Sequence, residues 1–230
     1  MINPVEKGMK RTFDVVRQKD ARLIPIQNST ILSLSSLVEE RDADTGGHVQ
    51  RTSDYVKTIA TLLMEKGYYK NIIDDNYIQY LEKAAPMHDI GKIVVSDTVL
   101  KKCGRLNKDE YESMKLHTKE GGRIGNQIIG FSDDKDYVSV AIDMAQSHHE
   151  RWDGTGYPKK LSAEQIPLSA RFMAIADVFD ALVFERCYKQ AIPAEEAFEI
   201  IESESGTHFD PILVKEFLKI KDDILRVISE

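Results

Sequence analysis

The chain has 230 residues, 42% of them hydrophobic and 30% charged. That composition excludes wholesale disorder, and the length suffices to bury a core without disulfides or structural metal. A net charge of −7, from 31 basic and 38 acidic residues, argues against non-specific binding to duplex nucleic acid.

Residues 1–26 are polar, weakly patterned and broken by Pro4 and Pro25; they read as a linker or lead-in helix to a domain spanning 27–230. Residues 28–41 carry apolar side chains at helical spacing, and 48–66 continue the pattern until Gly67. The stretch 10–41 suits either a helical homodimer or a single helix packed on its own domain. Residues 76–88 predict another helix, and Val94 with Val95 a short extended piece. Asn107 with Glu110 reads as a capping box opening a helix toward Leu116. Residues 135–149 are helical up to a histidine pair, and 168–184 form the most apolar helix. Pro193 and the pair Asp210-Pro211 open the last helices. No alternating stretch longer than about four residues argues for a sheet, so the expected fold class is all-α.

Cys103 and Cys187 sit far apart and form no CxxC, which points to a reducing compartment and away from a thiolate zinc site. No apolar run approaches the ~20 residues of a membrane helix, and the first residues lack a signal-peptide core. A soluble cytoplasmic protein is expected.

The chemistry gathers around six histidines. His88 is followed by Asp89 and then Ile90-Gly91-Lys92; His148 and His149 are adjacent and followed by Glu150. Such groups bring imidazole nitrogen and carboxylate oxygen to one spot, a set that divalent iron, manganese or zinc accepts. A carboxylate can bridge two metals, whereas each histidine needs its other nitrogen held by a partner. Asp177 and Asp180 lie within the apolar run 171–184, three apart and so near one face. A buried carboxylate must be neutralised, hydrogen-bonded or metal-bound; local pairing with Arg171 or Arg186 is the other reading, above all for Asp180. Residues 153–158, DGTGYP, make a tight shaped loop.

Taken together, HDIGK at 88–92, HHERWDGTGYP at 148–158, IPLSARFMAIADVFDAL at 166–182 and RCYK at 186–189 resemble the HD-GYP family of bacterial phosphodiesterases. The resemblance runs from about residue 27 to the C-terminus. It implies an HD-domain-like helical bundle with a buried multi-metal site. By position, the implied ligands are His48, His88, Asp89, His117, His148, His149 and Asp177, with Asp89 bridging. One metal would take His48, His88 and Asp177; the other would take His117, His148 and His149. Asp44 stands where some members carry a third-metal carboxylate, or else caps the helix that bears His48.

The implied cofactors are two or three divalent ions, iron or manganese. The implied reaction is hydrolysis of cyclic di-GMP to pGpG, and onward to GMP in some members, by a hydroxide that two metals share. Asp89 and Lys92 are the implied catalytic pair. Tyr157, Arg186 and Lys189 are the implied substrate contacts. The same loop implies contact with a diguanylate cyclase domain. Glu150 and Asp153 are expected to orient the histidines or the loop, and Trp152 to pack over the site rim or stack on a base. His208 is expected to be structural. The family's small polar pair and proline before YK are here Val183, Phe184 and Cys187. That departure keeps two alternatives open: a cyclic-dinucleotide-binding signalling module with little turnover, and a phosphodiesterase for another cyclic dinucleotide such as cyclic GMP-AMP.

Overall fold

The computed structural model describes residues 28–42, 47–185 and 190–229. Among them are helices and turns but no strand; a lone bridge, Ser205–Phe209, closes a turn. The all-α expectation holds. Helix α1 spans 28–41. It is followed by α2 (His48–Glu65), α3 (Asp75–Ala84), α4 (Asp97–Leu100), α5 (Lys108–Ile129) and α6 (Lys135–Ser147). Then come α7 (Leu168–Val183), α8 (Ala194–Ser203), α9 (Pro211–Phe217) and α10 (Lys221–Ser229). The lead-in segment expected at 1–26 lies outside the described residues.

The helix starts follow local chemistry. Asn107 and Glu110 form the reciprocal capping box that their spacing predicts. The Asp210 carboxylate accepts the Ile212 N–H at 2.8 Å, with Pro211 at the first helical position. Two expectations differ. The single helix over 76–88 ends at Ala84, because Pro86 has no N–H to donate and the chain tightens into a 3₁₀ turn, Ala85–Met87. Val94 belongs to a second 3₁₀ turn, Ile90–Val94, and only Val95 is extended.

Helix α7 occupies the middle of the bundle and packs against α2, α6 and α8. That explains why its sequence is apolar almost all round. Phe179 is fully buried among Tyr55, Phe198 and Phe217, with ring centroids at 5.6, 4.8 and 5.3 Å. Such offset and edge-on pairs stabilise beyond their buried area by about 0.5–1.5 kcal/mol each. Arg41 holds α1 against the second 3₁₀ turn through the carbonyls of Ile93 and Val95 and the Asp97 carboxylate. No described helix is long and apolar enough to cross a membrane.

Glu216 on α9 is wholly buried and meets Lys66 at 2.7 Å and Lys219 at 2.6 Å. Burial alone would raise its carboxyl, but the two ammoniums hold it down to about 2. A folded pKa below the unfolded value stabilises fully above about pH 4.5, and the gain fades as pH falls toward 2. Glu216→Gln is therefore expected to cost about 1–3 kcal/mol near neutrality. The gap to wild type should narrow below about pH 4.5 in denaturant melts. A gap independent of pH would exclude this role.

Candidate metal centre

The irregular backbone between α3 and α4 builds the site. His88 and Asp89 sit between the two 3₁₀ turns, Asp89 at φ −105°, ψ 8°, where an unbroken helix would have turned one of the two away. Gly91 makes this possible. A methyl there would collide with the His117 carbonyl oxygen and the Gly121 amide nitrogen of α5. The bare α-carbon thus lets the turn lie directly on the helix that carries His117.

Six side chains from four segments converge. Oxygen or nitrogen atoms of Asp89, His117, His148 and His149 lie within 4.8 Å of one another, as do those of His48, His88 and Asp89. Asp89 belongs to both sets. Its Oδ1 stands 3.4 Å from His117 Nε2 and 3.7 Å from His148 Nε2, and its Oδ2 3.4 Å from His88 Nε2. The distal nitrogens are tied down. Nδ1–H of His88, His117 and His148 donates to the carbonyls of Ala85, Met114 and Met144 at 2.7, 2.7 and 3.1 Å. His48 Nδ1 meets the Asp180 carboxylate at 2.7 Å. A carbonyl only accepts, so the proton of a neutral ring sits on Nδ1 and Nε2 presents a lone pair inward. In neutral rings lone pairs would face each other at 3.4 Å in His48–His88 and again in His117–His148, a repulsion that a proton or a cation between them relieves. Asp89 Oδ1 is buried and makes no hydrogen bond. Convergent lone pairs around an unsatisfied carboxylate oxygen fit divalent cations.

Over residues 33–213 the sequence matches the HD domain family. The chain belongs to the HD domain family. It is 43% identical over 200 residues to the cyclic di-GMP phosphodiesterase of Vibrio cholerae serotype O1, covering 86% of this chain and 40% of that protein. It is 35% identical over 197 residues to the 3′3′-cGAMP-specific phosphodiesterase 2 of the same organism, covering 86% and 35%. The chain thus spans less than half the length of these relatives. Its fold is similar to the crystal structure of a cyclic GMP-AMP specific phosphodiesterase from V. cholerae, with a TM-score of 0.61 at 19% identity over 88% of this chain and 50% of that one. These likenesses agree with the HD-GYP resemblance of the motifs.

In this HD domain, electrostatics separate the candidate ligands. Burial would raise Asp89, but Lys92 and His88 hold it well below the usual carboxylate range. Burial opposes charge on His88, yet Asp89 outweighs it and raises the imidazole to about 9. Burial lowers His117 to about 4 and, with His148 and His117 nearby, takes His149 well below its ordinary value. Lys92 Nζ lies 2.7 Å from Asp89 Oδ2 and also bonds the Asp42 carboxylate. Burial opposes its charge, and the two carboxylates restore it.

Asp180 pairs with neither Arg171 nor any other residue of its own helix. It accepts from His48 and, at 2.7 and 2.9 Å, from the Arg51 guanidinium, which lies 3.5 Å over the Phe184 ring. Arg171 instead bonds Asp210 at 2.8 Å. Asp180→Ala should free the His48 ring and weaken metal affinity roughly 10- to 100-fold, read by competition with a chelator. Unchanged affinity would show that Asp180 does not orient His48.

The other expected residues fall as follows. Asp177 Oδ1 stands 3.5 Å from His48 Nε2, at the edge of the second set. The Tyr157 ring stacks on His149 at 4.9 Å. Glu150 is buried and accepts the Lys159 and Leu161 N–H groups at 2.7 and 3.0 Å, which fixes the 153–158 loop. Asp153 folds the same loop through Thr155. His208 stacks on Phe209 at 4.2 Å. Trp152 is placed toward Arg171, 5.8 Å from its guanidinium, and does not line the site. Asp44, Arg186 and Lys189 lie outside the described residues.

The centre opens into a cavity of about 480 Å³ bordered by Asp42, Asp89, Lys92, His149, Tyr157 and Asp177. A cavity of about 560 Å³ beside α3 and α6 is lined by Asp74, Asp136, Asp143 and Glu164 and has no histidine, so the chemistry belongs to the smaller one. Sequence reasoning missed Asp42 and Arg51. Arg51 follows His48 by three, a same-face spacing that could have signalled it; nothing in the sequence marks Asp42.

Proposed function

We propose that this HD domain is a metal-dependent phosphodiesterase that hydrolyses cyclic di-GMP to pGpG. The observation that carries the reading is the pair of ligand sets sharing Asp89 at the wall of the 480 Å³ cavity. The relative named for cyclic di-GMP is 43% identical and the one named for cGAMP 35%, which favours cyclic di-GMP as substrate. His48, His88 and Asp177 would hold one ion, and His117, His148 and His149 the other, with Asp89 between them. Mixed imidazole and carboxylate ligands suit iron or manganese. When bound, such ions supply a water of lowered pKa and neutralise charge on the phosphate.

The chain's own groups complete the reaction. Lys92 stays charged between Asp89 and Asp42, so it serves as a fixed donor to a phosphate or leaving oxygen rather than as a base. Tyr157 has its phenol raised by burial and by Tyr111, Asp89 and Asp177, so it too acts as a donor. Arg186 and Lys189 would grip the second phosphate, and a third ion would use Asp44. A cytoplasmic setting suits the two widely spaced cysteines.

The exposed segment Pro158–Lys160 beside Tyr157 favours a second role for the same loop in contacting a diguanylate cyclase domain. Exposed Leu32, Leu34 and Leu37 on α1 favour a homodimer through that helix. The test is turnover of cyclic di-GMP by protein loaded anaerobically with ferrous iron or manganese, with bound metal counted in the same sample. The expected product is pGpG with two ions per chain, or three if Asp44 takes part. Two bound ions without turnover would overturn the enzyme reading and leave the signalling module.

A further inference from the structure

The cavity reaches past the metal ligands onto a wall of different chemistry. Val99, Leu100, Leu106 and Met114 line it there, held by a small hydrophobic cluster separate from the main core. Tyr111, two turns before His117 on α5, forms the adjoining wall and is 46% exposed. Its ring meets Tyr157 edge-on at 6.2 Å, and Lys115 Nζ lies 4.6 Å from its centroid. The cations around this wall are mostly engaged: Lys102 with Glu110 at 2.6 Å, Lys115 with Glu112 at 2.8 Å, and Lys92 with Asp89. Arg105 is exposed at the cavity lip and has no hydrogen-bond or ion-pair partner among the described residues.

An apolar wall cannot solvate a phosphate, and the metal ligands with Lys92 already address the scissile one. A flat aromatic beside aliphatic side chains suits the face of a base. A planar guanidinium at the lip suits its edge. Guanine presents O6 and N7, both acceptors, to a bidentate arginine, whereas adenine places its N6 amino donor there. Building on the proposed activity, the geometry points to a purine subsite on residues 99–114 in which Tyr111 stacks one base of the cyclic dinucleotide and Arg105 selects guanine. Nothing in the motif text marks these residues, since they contribute no ligand and no catalytic group.

The discriminating substrate is 3′3′-cGAMP, whose two phosphodiesters differ. Guanine seated in the subsite presents one of them to the metal centre, so enzyme in excess should release one linear isomer, pApG or pGpA, over the other by roughly 5- to 150-fold. Arg105→Ala should bring the isomers to near equality. Tyr111→Ala should raise KM for cyclic di-GMP roughly 5- to 150-fold. An isomer ratio is internal to one reaction, so partial misfolding of a variant does not shift it. Equal isomers from the wild type, a bias that survives Arg105→Ala, or 3′3′-cGAMP left intact while cyclic di-GMP is cut would each overturn the subsite, because one guanine suffices to fill it. Bis(p-nitrophenyl) phosphate, which has no base, separates the two levels. Wild type that cleaves it but no cyclic dinucleotide overturns the proposed function, and this subsite with it. Cyclic dinucleotides cut without bias overturn the subsite alone.

Discussion

Replacing Asp89 with asparagine is expected to empty both metal sites and lower cyclic di-GMP turnover by at least on the order of 10³-fold. Asp89 belongs to both ligand sets, with Oδ1 toward His117 and Oδ2 toward His88. Asparagine keeps the shape but offers one carbonyl oxygen and no charge. Its amide nitrogen, a donor, would face an imidazole already prepared to give a lone pair. Among the groups at the centre, Asp177 would then be the carboxylate left to offset the ions that the five histidines would hold. Lys92 would keep only Asp42 as its carboxylate partner. Loss of one partner of a buried pair costs about 3–5 kcal/mol where no second partner exists, so a smaller loss is expected here. Bound metal, melting temperature and turnover measured on one preparation separate metal loss from unfolding. A folded variant that retains two ions and turns over within tenfold of wild type would exclude the bridging role.

Gly91→Ala should be nearly as severe while changing no ligand. The added methyl meets backbone atoms of α5, the His117 carbonyl and the Gly121 amide, and no rotamer change can relieve a clash between main chains. Either the 3₁₀ turn lifts away or α5 bends; both move Asp89 and Lys92 relative to His117. Ligand distances must hold within about 0.2 Å, so metal should be lost, along with about 3 kcal/mol of stability from overpacking. Gly121→Ala is the control. Its methyl would stand 3.5 Å from the Ala145 Cβ, an ordinary contact, and alanine favours the helix by up to about 1 kcal/mol. That variant should keep its metal and melt at or slightly above the wild-type temperature. If both alanines behave alike, the close approach of the turn to α5 is not what holds the site together.

Much of the architecture is legible in the sequence where the determinant is local. The Asn107–Glu110 box and the Asp210-Pro211 start depend on groups within three residues of each other, and both form as their spacing predicts. The apolar run 168–184 announces a buried helix, because only a helix with neighbours on most sides keeps such a sequence. The motifs name His88, Asp89, His148 and His149, and the family resemblance adds His48 and His117; the fold gathers all six from distant segments. The break at Ala84 shows the limit of periodicity: apolar spacing continues through Pro86 although the α-helical hydrogen bonds cannot.

What the tertiary structure decided is which distant groups meet. Asp180 has an arginine nine residues earlier on its own helix, yet it bonds Arg51 and His48 of α2, because α2 and α7 cross at the centre of the bundle. Asp42, unmarked by any motif, reaches Lys92 because Arg41 ties the end of α1 to the 3₁₀ turn that carries that lysine. Arg105 and Tyr111 come to the metal cavity because a short helix and a small apolar cluster fold residues 99–114 over its mouth. The sequence by itself determined the all-helical class, the histidines and Asp89 that the fold brings together, and the family, since these depend on residue type, short-range spacing and ordered motifs. Partner choice among buried charges and the shape of the cavity depend on packing between segments tens of residues apart, where desolvation lets geometry rather than proximity in the chain select the pair.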